Sequence, residues 1–180
     1  MLFILLEKLE IYGVRGICLE RFRSYLSDRT QVVKIENIFS EFLDIECGVP
    51  QGSILGPLFF IIFINDFANC CKDIVPFIFA EDTNCLYSRD NIDLNFNTAL
   101  QNISNWISEN KLSLNTEKTQ LLHFMRPHDS DIKLAESVIS ESKCVKYLGM
   151  YLDKYQSFHE HIAYAKNKLS RHISVLVRLK

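Results

Sequence analysis

Hydrophobic residues recur along this chain with two periods. Leu2, Leu5, Leu6 and Leu9 fall on one face of a helix over residues 2–12, which Gly13 ends. Leu19, Phe22 and Leu26 predict a second helix over 17–27, with Arg21 and Arg23 on its outer side. β-Branched Val32, Val33 and Ile35 predict a strand over 31–35, and residues 41–47 a second one after a loop. Gly48, Gly52 and Gly56 then stand four apart, with Pro50 and Pro57 among them. That density marks a loop whose backbone turns sharply or lies close to something. Ser53 is placed to cap the helix that follows, with Pro57 in its first turn. Residues 58–67 are apolar nearly all round, which predicts a buried helix.

Residues 76–88 read as a β-hairpin: an apolar run, the acids Glu81-Asp82 at the tip, Thr83-Asn84 as turn formers, then Cys85-Leu86-Tyr87. Phe96, Leu100, Ile103, Trp106 and Ile107 share one face of a long helix over 92–110, with Trp106 in the core. Strand-like runs follow at 120–125, 132–139 and 143–152, the first two separated by a polar loop at 126–131. A helix over 159–179 closes the chain. Ile162, Ala165, Leu169, Ile173 and Leu176 make its apolar stripe, and Lys168, Arg171 and Arg178 lie elsewhere on it. This alternation predicts an α+β fold. In it an antiparallel sheet carries the 76–88 hairpin, and helices 54–67 and 92–110 pack on one face.

Composition adds an asymmetry. The 180 residues are 48% hydrophobic and 23% charged, an ordinary globular mix. The formal net charge is −2. Residues 1–142 carry 12 Lys+Arg against 20 Asp+Glu, net −8, whereas 143–180 carry 8 against 2, net +6. An acidic body with a basic tail points to a polyanionic partner, and a solvated basic helix face accounts for it equally well. The six cysteines show no C-x-x-C pair and no zinc spacing with His, so we expect no disulfide partner and an intracellular protein. Nothing separates nucleus from cytoplasm. His159 and His161, two apart, are expected at the surface. The opening run 1–8 is too short for a signal peptide, and Pro57 breaks the apolar run 54–64 well short of a membrane span.

The candidate chemistry lies at Glu81-Asp82. Adjacent carboxylates repel one another and gain from sharing a hard cation such as Mg²⁺. The plainer reading is a turn made soluble by two acids.

Four motifs in order carry a resemblance. Gly-Val-Pro-Gln-Gly-Ser-Ile-Leu-Gly-Pro at 48–57 is followed by Ile64-Asn65-Asp66. Phe79-Ala80-Glu81-Asp82-Thr83-Asn84 comes next, then Trp106 with Asn110-Lys111-Leu112-Ser113-Leu114-Asn115 and Lys118-Thr119, and finally Lys146-Tyr147-Leu148-Gly149. Together they resemble the reverse transcriptases of non-LTR, LINE-type (jockey-like) retrotransposons from about residue 2 to 180. The resemblance implies a right-hand polymerase palm over 1–156 and the first thumb-like helix over 157–180. It implies RNA-templated DNA synthesis by phosphoryl transfer, with Mg²⁺ or Mn²⁺ as cofactor and an RNA template, a DNA primer and a deoxynucleoside triphosphate (dNTP) as partners.

By position, Glu81 stands for the principal hairpin metal ligand and Asp82 for its acidic neighbour. Pro50, Gln51, Gly52 and Ser53 line the nucleotide and template side. Lys118 is implied as a catalytic residue near the triphosphate that protonates the leaving pyrophosphate, with a solvated surface lysine as the plainer reading; Tyr147, Leu148 and Gly149 form the primer grip, and Lys168, Arg171 and Arg178 face the nucleic-acid backbone. Asp66 belongs to the helix-end block and is not counted as a ligand.

Two departures matter. The family's first catalytic aspartate belongs to a strand just before the helix that opens this chain, and no residue of 1–180 supplies it. Glu81 stands where the family usually has Asp, so its carboxylate reaches one methylene further. The resemblance therefore implies a truncated, inactive relic. A non-catalytic nucleic-acid-binding remnant is a second reading, and an unrelated soluble interaction domain a third. Metal-dependent nucleotide incorporation separates the first two, and binding of polymer-length nucleic acid separates the third.

Overall fold

Helix α1 (Leu2–Ile11) closes with the amide of Val14 on the Leu9 carbonyl (3.0 Å) and that of Gly13 on Glu10 (3.0 Å). This is the paired-bond ending expected where an apolar residue follows a glycine stop. The computed structural model describes residues 2–45, 48–50, 52–88, 92–124, 132–135 and 137–178. They form two units, Met1–Ser113 and Leu114–Lys180.

In the first unit, Leu5, Leu6 and Leu9 of α1 pack with Leu19 and Leu26 of α2 (Ile17–Leu26) and with Phe59 and Phe63 of α3 (Leu55–Ile64). The Phe59 ring meets Phe22 edge-on at 5.2 Å. The α3 sequence looks buried on every side, but the structure corrects this. Phe59 and Phe63 are buried while Leu58 and Ile61 are exposed, so one face alone meets the core. The helix also stops at Ile64, and Asn65–Cys70 winds as a tighter 3₁₀ turn.

Lys8 of α1, a residue the periodicity leaves unassigned, reaches into this join. Its ammonium donates to the Phe63 carbonyl (2.7 Å) and pairs with Asp66 (2.7 Å). It also lies over the Phe63 and Trp106 rings at 4.6 and 5.1 Å. A cation at a helix C-terminus satisfies orphan carbonyls and complements the dipole. Asp66 is thus occupied as a structural partner.

The predicted strands over 31–35 and 41–47 are shorter than expected. β1 (Thr30–Gln31) pairs β4 (Leu43–Asp44), and β2 (Lys34–Ile35) pairs β3 (Ile38–Phe39), both antiparallel. Glu36 takes a positive φ of 54°, which lets the chain reverse at once. Residues 46 and 47 lie outside the described residues.

β5 (Ile74–Phe79) and β6 (Asp82–Tyr87) form the expected hairpin, in the register Phe79↔Asp82 to Ile74↔Tyr87. Helix α4 (Ile92–Glu109) buries Phe96, Ala99, Leu100, Ile103 and Trp106, and Trp106 meets Phe67 edge-on at 5.0 Å. Tyr87 of the hairpin packs on Phe96 at 4.8 Å. Buried Asn110 donates its side-chain amide to the Trp106 carbonyl (2.9 Å).

In the second unit the run 120–125 is not a strand among its described residues. It contributes one isolated parallel bridge, Leu121↔Glu141. The loop predicted at 126–131 lies outside the described residues. Each later run folds back on itself: β7 (Lys133–Leu134) pairs β8 (Ser137–Val138), and β9 (Cys144–Tyr147) pairs β10 (Met150–Asp153). A single sheet with helices on one face is therefore not what the chain makes. Among the described residues the strands form five separate two-stranded ribbons. Helix α5 (His159–Arg178) follows and buries none of its side chains.

Candidate functional site

Ala80 and Glu81 make the β5–β6 connection, and Ala80 holds a φ of +48°. A two-residue turn needs such a conformation to match the strand twist. Thr83 and Asn84, expected to turn, are instead strand residues opposite Ile78 and Phe77. Glu81 is thus in the turn itself and Asp82 is the first residue of β6, both exposed. Residues opposite one another share a face, so Asp82 lies with Phe79, Phe77, Val75 and Leu86, all four substantially exposed. The tip is two carboxylates standing above an uncovered apolar face.

The donor set fits a hard divalent ion, which takes carboxylate oxygens and completes its shell with water or phosphate. It fits from one side only. Among the described residues no three His, Cys, Asp or Glu side chains come together.

The glycine-rich loop is held from within. The Ser53 hydroxyl donates to the Pro50 carbonyl (2.7 Å) and accepts from the Gly56 amide (3.0 Å). It therefore acts as the expected cap, one residue ahead of Ile54, whose φ and ψ of −64° and −33° are already helical. A Cβ on Gly56 would sit 3.1 Å from Ser53 Oγ and 3.3 Å from the Pro50 carbonyl oxygen, so any side chain there would have to push the Ser53 cap back by a few tenths of an ångström. Arg29 ties the C-terminal end of α2 to this loop, bonding the Leu26 carbonyl (3.0 Å) and the Gly48 carbonyl. Pro50 is half-buried and Gly52 exposed, and Gln51 lies outside the described residues.

Of the remaining candidates, all in the second unit, Lys118 is exposed at a turn organised by Asn115, whose side chain accepts the Lys118 amide (3.1 Å). Leu148 and Gly149 form the β9–β10 turn, and Tyr147 is the last residue of β9, opposite Met150. Leu148 and Gly149 have φ of +44° and +86°, the two positive values of the tightest hairpin turns. Such a φ is natural for Gly149 and costs Leu148 about 1 kcal/mol or more. Lys168, Arg171 and Arg178 are exposed on α5.

Asp153, which the sequence pattern does not single out, organises this region. It accepts from the amides of Tyr155 (3.0 Å), Ser157 (3.1 Å) and Phe158 (2.9 Å) and from the Ser157 hydroxyl (3.0 Å). These bonds, the Ser157 amide foremost, hold its pKa below the usual Asp value. A depressed folded pKa contributes stability above the unfolded value of about 3.9 and loses it as pH falls through the folded one. We therefore expect the Ser157 and Phe158 amides to keep their exchange protection from neutral pH down to about 4 and to lose it below. Asp153→Asn should show the loss at neutral pH. Hydrogen exchange by NMR reads both.

His161, expected at the surface, is half-buried, and its Nδ1 is enclosed without a hydrogen-bond partner. All five described cysteines are free thiols. Burial raises Cys70 and pushes Cys71 up to about 12. Such thiols stay protonated and unreactive at neutral pH.

The family described as "Reverse transcriptase (RNA-dependent DNA polymerase)" matches residues 4–152, which include the loop, the acidic hairpin and the β9–β10 turn. The chain belongs to the reverse transcriptase family. It is similar to the "Probable RNA-directed DNA polymerase from transposon BS" of Drosophila melanogaster, 30% identical over 155 residues that cover 78% of this chain and 17% of that protein. It is 29% identical to the "RNA-directed DNA polymerase from mobile element jockey" of the same organism over 153 residues, again 78% and 17%. A third relative, the "Probable RNA-directed DNA polymerase from transposon X-element", is 25% identical over 159 residues, 82% of this chain and 17% of its own length. These relatives support a reverse transcriptase domain of a non-LTR retrotransposon. The chain spans about a sixth of their length. No solved structure matches. No helix among the described residues is long and apolar enough to cross a membrane.

Proposed function

We propose that this chain is the palm portion of a retrotransposon reverse transcriptase, over residues 1–156, joined to the first thumb-like helix, 157–180. Its inherited reaction is nucleotidyl transfer onto a DNA primer along an RNA template, and its compartment is intracellular. One observation carries the reading: Glu81 and Asp82 stand together at the tip of a hairpin inside the family-matched region. Glu81 and Asp82 would hold Mg²⁺ or Mn²⁺, which would neutralise phosphate charge and activate the primer hydroxyl. Pro50, Gln51, Gly52 and Ser53 line the dNTP and template side, Ser53 by its backbone because its hydroxyl is already engaged. Lys118 meets the triphosphate. Tyr147, Leu148 and Gly149 hold the primer end, and Lys168, Arg171 and Arg178 neutralise phosphates. By itself the chain is inactive, because the carboxylates fit an ion from one side only.

Binding tests the partner class. A labelled RNA–DNA hybrid should bind with an affinity that falls with salt and depends little on sequence. Replacing Lys168, Arg171 and Arg178 together with Ser should flatten the slope of log K against log salt by about two to three units, close to 0.9 per phosphate released. An unchanged slope would mean that the basic flank is only solvated, and absence of binding would remove the nucleic-acid reading.

A further inference from the structure

Helix α5 lies on its neighbouring hairpin in an unexpected way. An amphipathic helix is expected to bury its apolar stripe. Here Ile162, Leu169, Ile173 and Leu176 are all more than half exposed, and the helix rests on β9–β10 through Tyr164. Lys146 and Tyr151 are opposite one another, so they share a hairpin face. Tyr164 packs on Tyr151 at 5.2 Å, and the Lys146 ammonium stands 5.8 Å from the Tyr151 ring and 5.5 Å from the Tyr164 ring. Both distances are within cation–π reach. The base of the helix is fixed separately, by the four bonds to Asp153.

Two points fix a direction. From the Asp153 end, α5 runs back along the hairpin toward its turn. Lys168 and Arg171 follow Tyr164 by four and seven residues, so they share its helix flank, about 6 and 10 Å further along. The Leu148-Gly149 turn lies two residues beyond Lys146, about 7 Å along the strand. By helix and strand rise alone, Lys168 and Arg171 project from Tyr164 toward the end of the hairpin that carries the turn, on the helix flank that holds Tyr164. Leu148 is half exposed there in its left-handed conformation.

We infer that Lys146, Tyr151 and Tyr164 form a clamp that sets Lys168 and Arg171 beside the Leu148-Gly149 turn, making one composite edge for a nucleic-acid backbone. Lys146 is assigned here as a positioning residue, its exposed ammonium lying over the two tyrosine rings. The inference rests on the nucleic-acid reading above, and it joins residues of the grip turn and the helix into a single site.

The test is the salt dependence of binding of a short fluorescein-labelled RNA–DNA hybrid by the full chain. Tyr164→Ala removes no charge, yet it should flatten the slope of log K against log salt by about one to two units, as Lys168 and Arg171 leave the backbone. Tyr164→Phe keeps the ring and should keep the slope. Lys146→Arg should bind like the unaltered chain, whereas Lys146→Met should lose more than the roughly 0.9 units that one phosphate contact explains. An unchanged slope in Tyr164→Ala overturns the clamp's role, whereas a hybrid that fails to bind the unaltered chain overturns the nucleic-acid reading itself. Proton NMR of the unaltered chain guards against a variant that does not fold. The Lys146 side-chain methylenes should be shifted upfield by the two rings, and ordinary positions would overturn the clamp.

Discussion

Residues 1–180 alone should extend no primer on RNA in Mg²⁺, and neither of two repairs made singly should change that by much. Two metals about 3.5–4 Å apart need ligands on both sides of the reacting phosphate. The described chain offers the one pair at the hairpin tip. Glu81→Asp shortens one ligand by a methylene and supplies no partner across the site. Adding an upstream strand with an aspartate while Glu81 stays leaves one carboxylate displaced by about 1 Å, a misplacement worth about 10²-fold. Mn²⁺ should rescue that extended chain better than Mg²⁺, which demands near-ideal octahedral geometry.

The added strand has a preferred place. The two-residue turn makes Phe79–Asp82 the hydrogen-bonded pair, and alternation then turns the Pro76 nitrogen outward, where proline gives no donor. The outer edge of β6 has its donors intact and is the edge to be paired. Both repairs together, with fingers present to hold the template, should give clear extension. Because the acids act as a unit, the effects of the two repairs, singly and combined, should be strongly non-additive. Extension by the unaltered chain would mean that another acid serves.

Phe59→Ala should destabilise the first unit by about 3–5 kcal/mol. Phe59 is 1% exposed, at the meeting of α1, α2 and α3, with the Phe22 ring edge-on and Tyr25 at 6.3 Å. A loss of that size is a large part of the roughly 5–15 kcal/mol that holds a domain together. Leu58→Ala, one residue away on the exposed side, should cost under about 1 kcal/mol. Urea melts of both variants measure the difference. Equal losses would mean that α3 is buried on both faces, as its composition alone suggests.

The elements legible in sequence were those whose pattern is local. Helix α4 shows its buried face in Phe96, Leu100, Ile103 and Trp106, because each spacing is a helical turn. The acidic hairpin was legible for its apolar runs, but its turn was misplaced. Thr83-Asn84 has turn composition, whereas the turn is made by Ala80-Glu81, and nothing in an alanine announces a φ of +48°. The run 143–152 concealed a hairpin although Gly149 was the available signal.

Contacts between distant residues left no local trace. Lys8 and Asp66 are 58 positions apart, and neither breaks a period. The orientation of α5 ran against its pattern, since Tyr164 rather than the aliphatic stripe meets the hairpin. Of the candidate site, the Glu81-Asp82 tip could be placed from its motif, whereas the Leu148-Gly149 turn lay inside a run that reads as one strand. Ser53 could be anticipated as a cap but not as a hydroxyl already engaged at both ends, and Asp153 has no signal beyond four polar groups that follow it within five residues.

Glu81 and Asp82 are proposed to hold a divalent metal at the hairpin tip. Paramagnetic broadening by Mn²⁺ reads it without any activity. In an amide NMR spectrum, substoichiometric Mn²⁺ should broaden Ala80, Glu81, Asp82 and Thr83 first, and Glu81→Gln with Asp82→Asn should abolish the effect. Broadening that leaves these four signals sharp while others disappear, or that survives in the double variant, would contradict it.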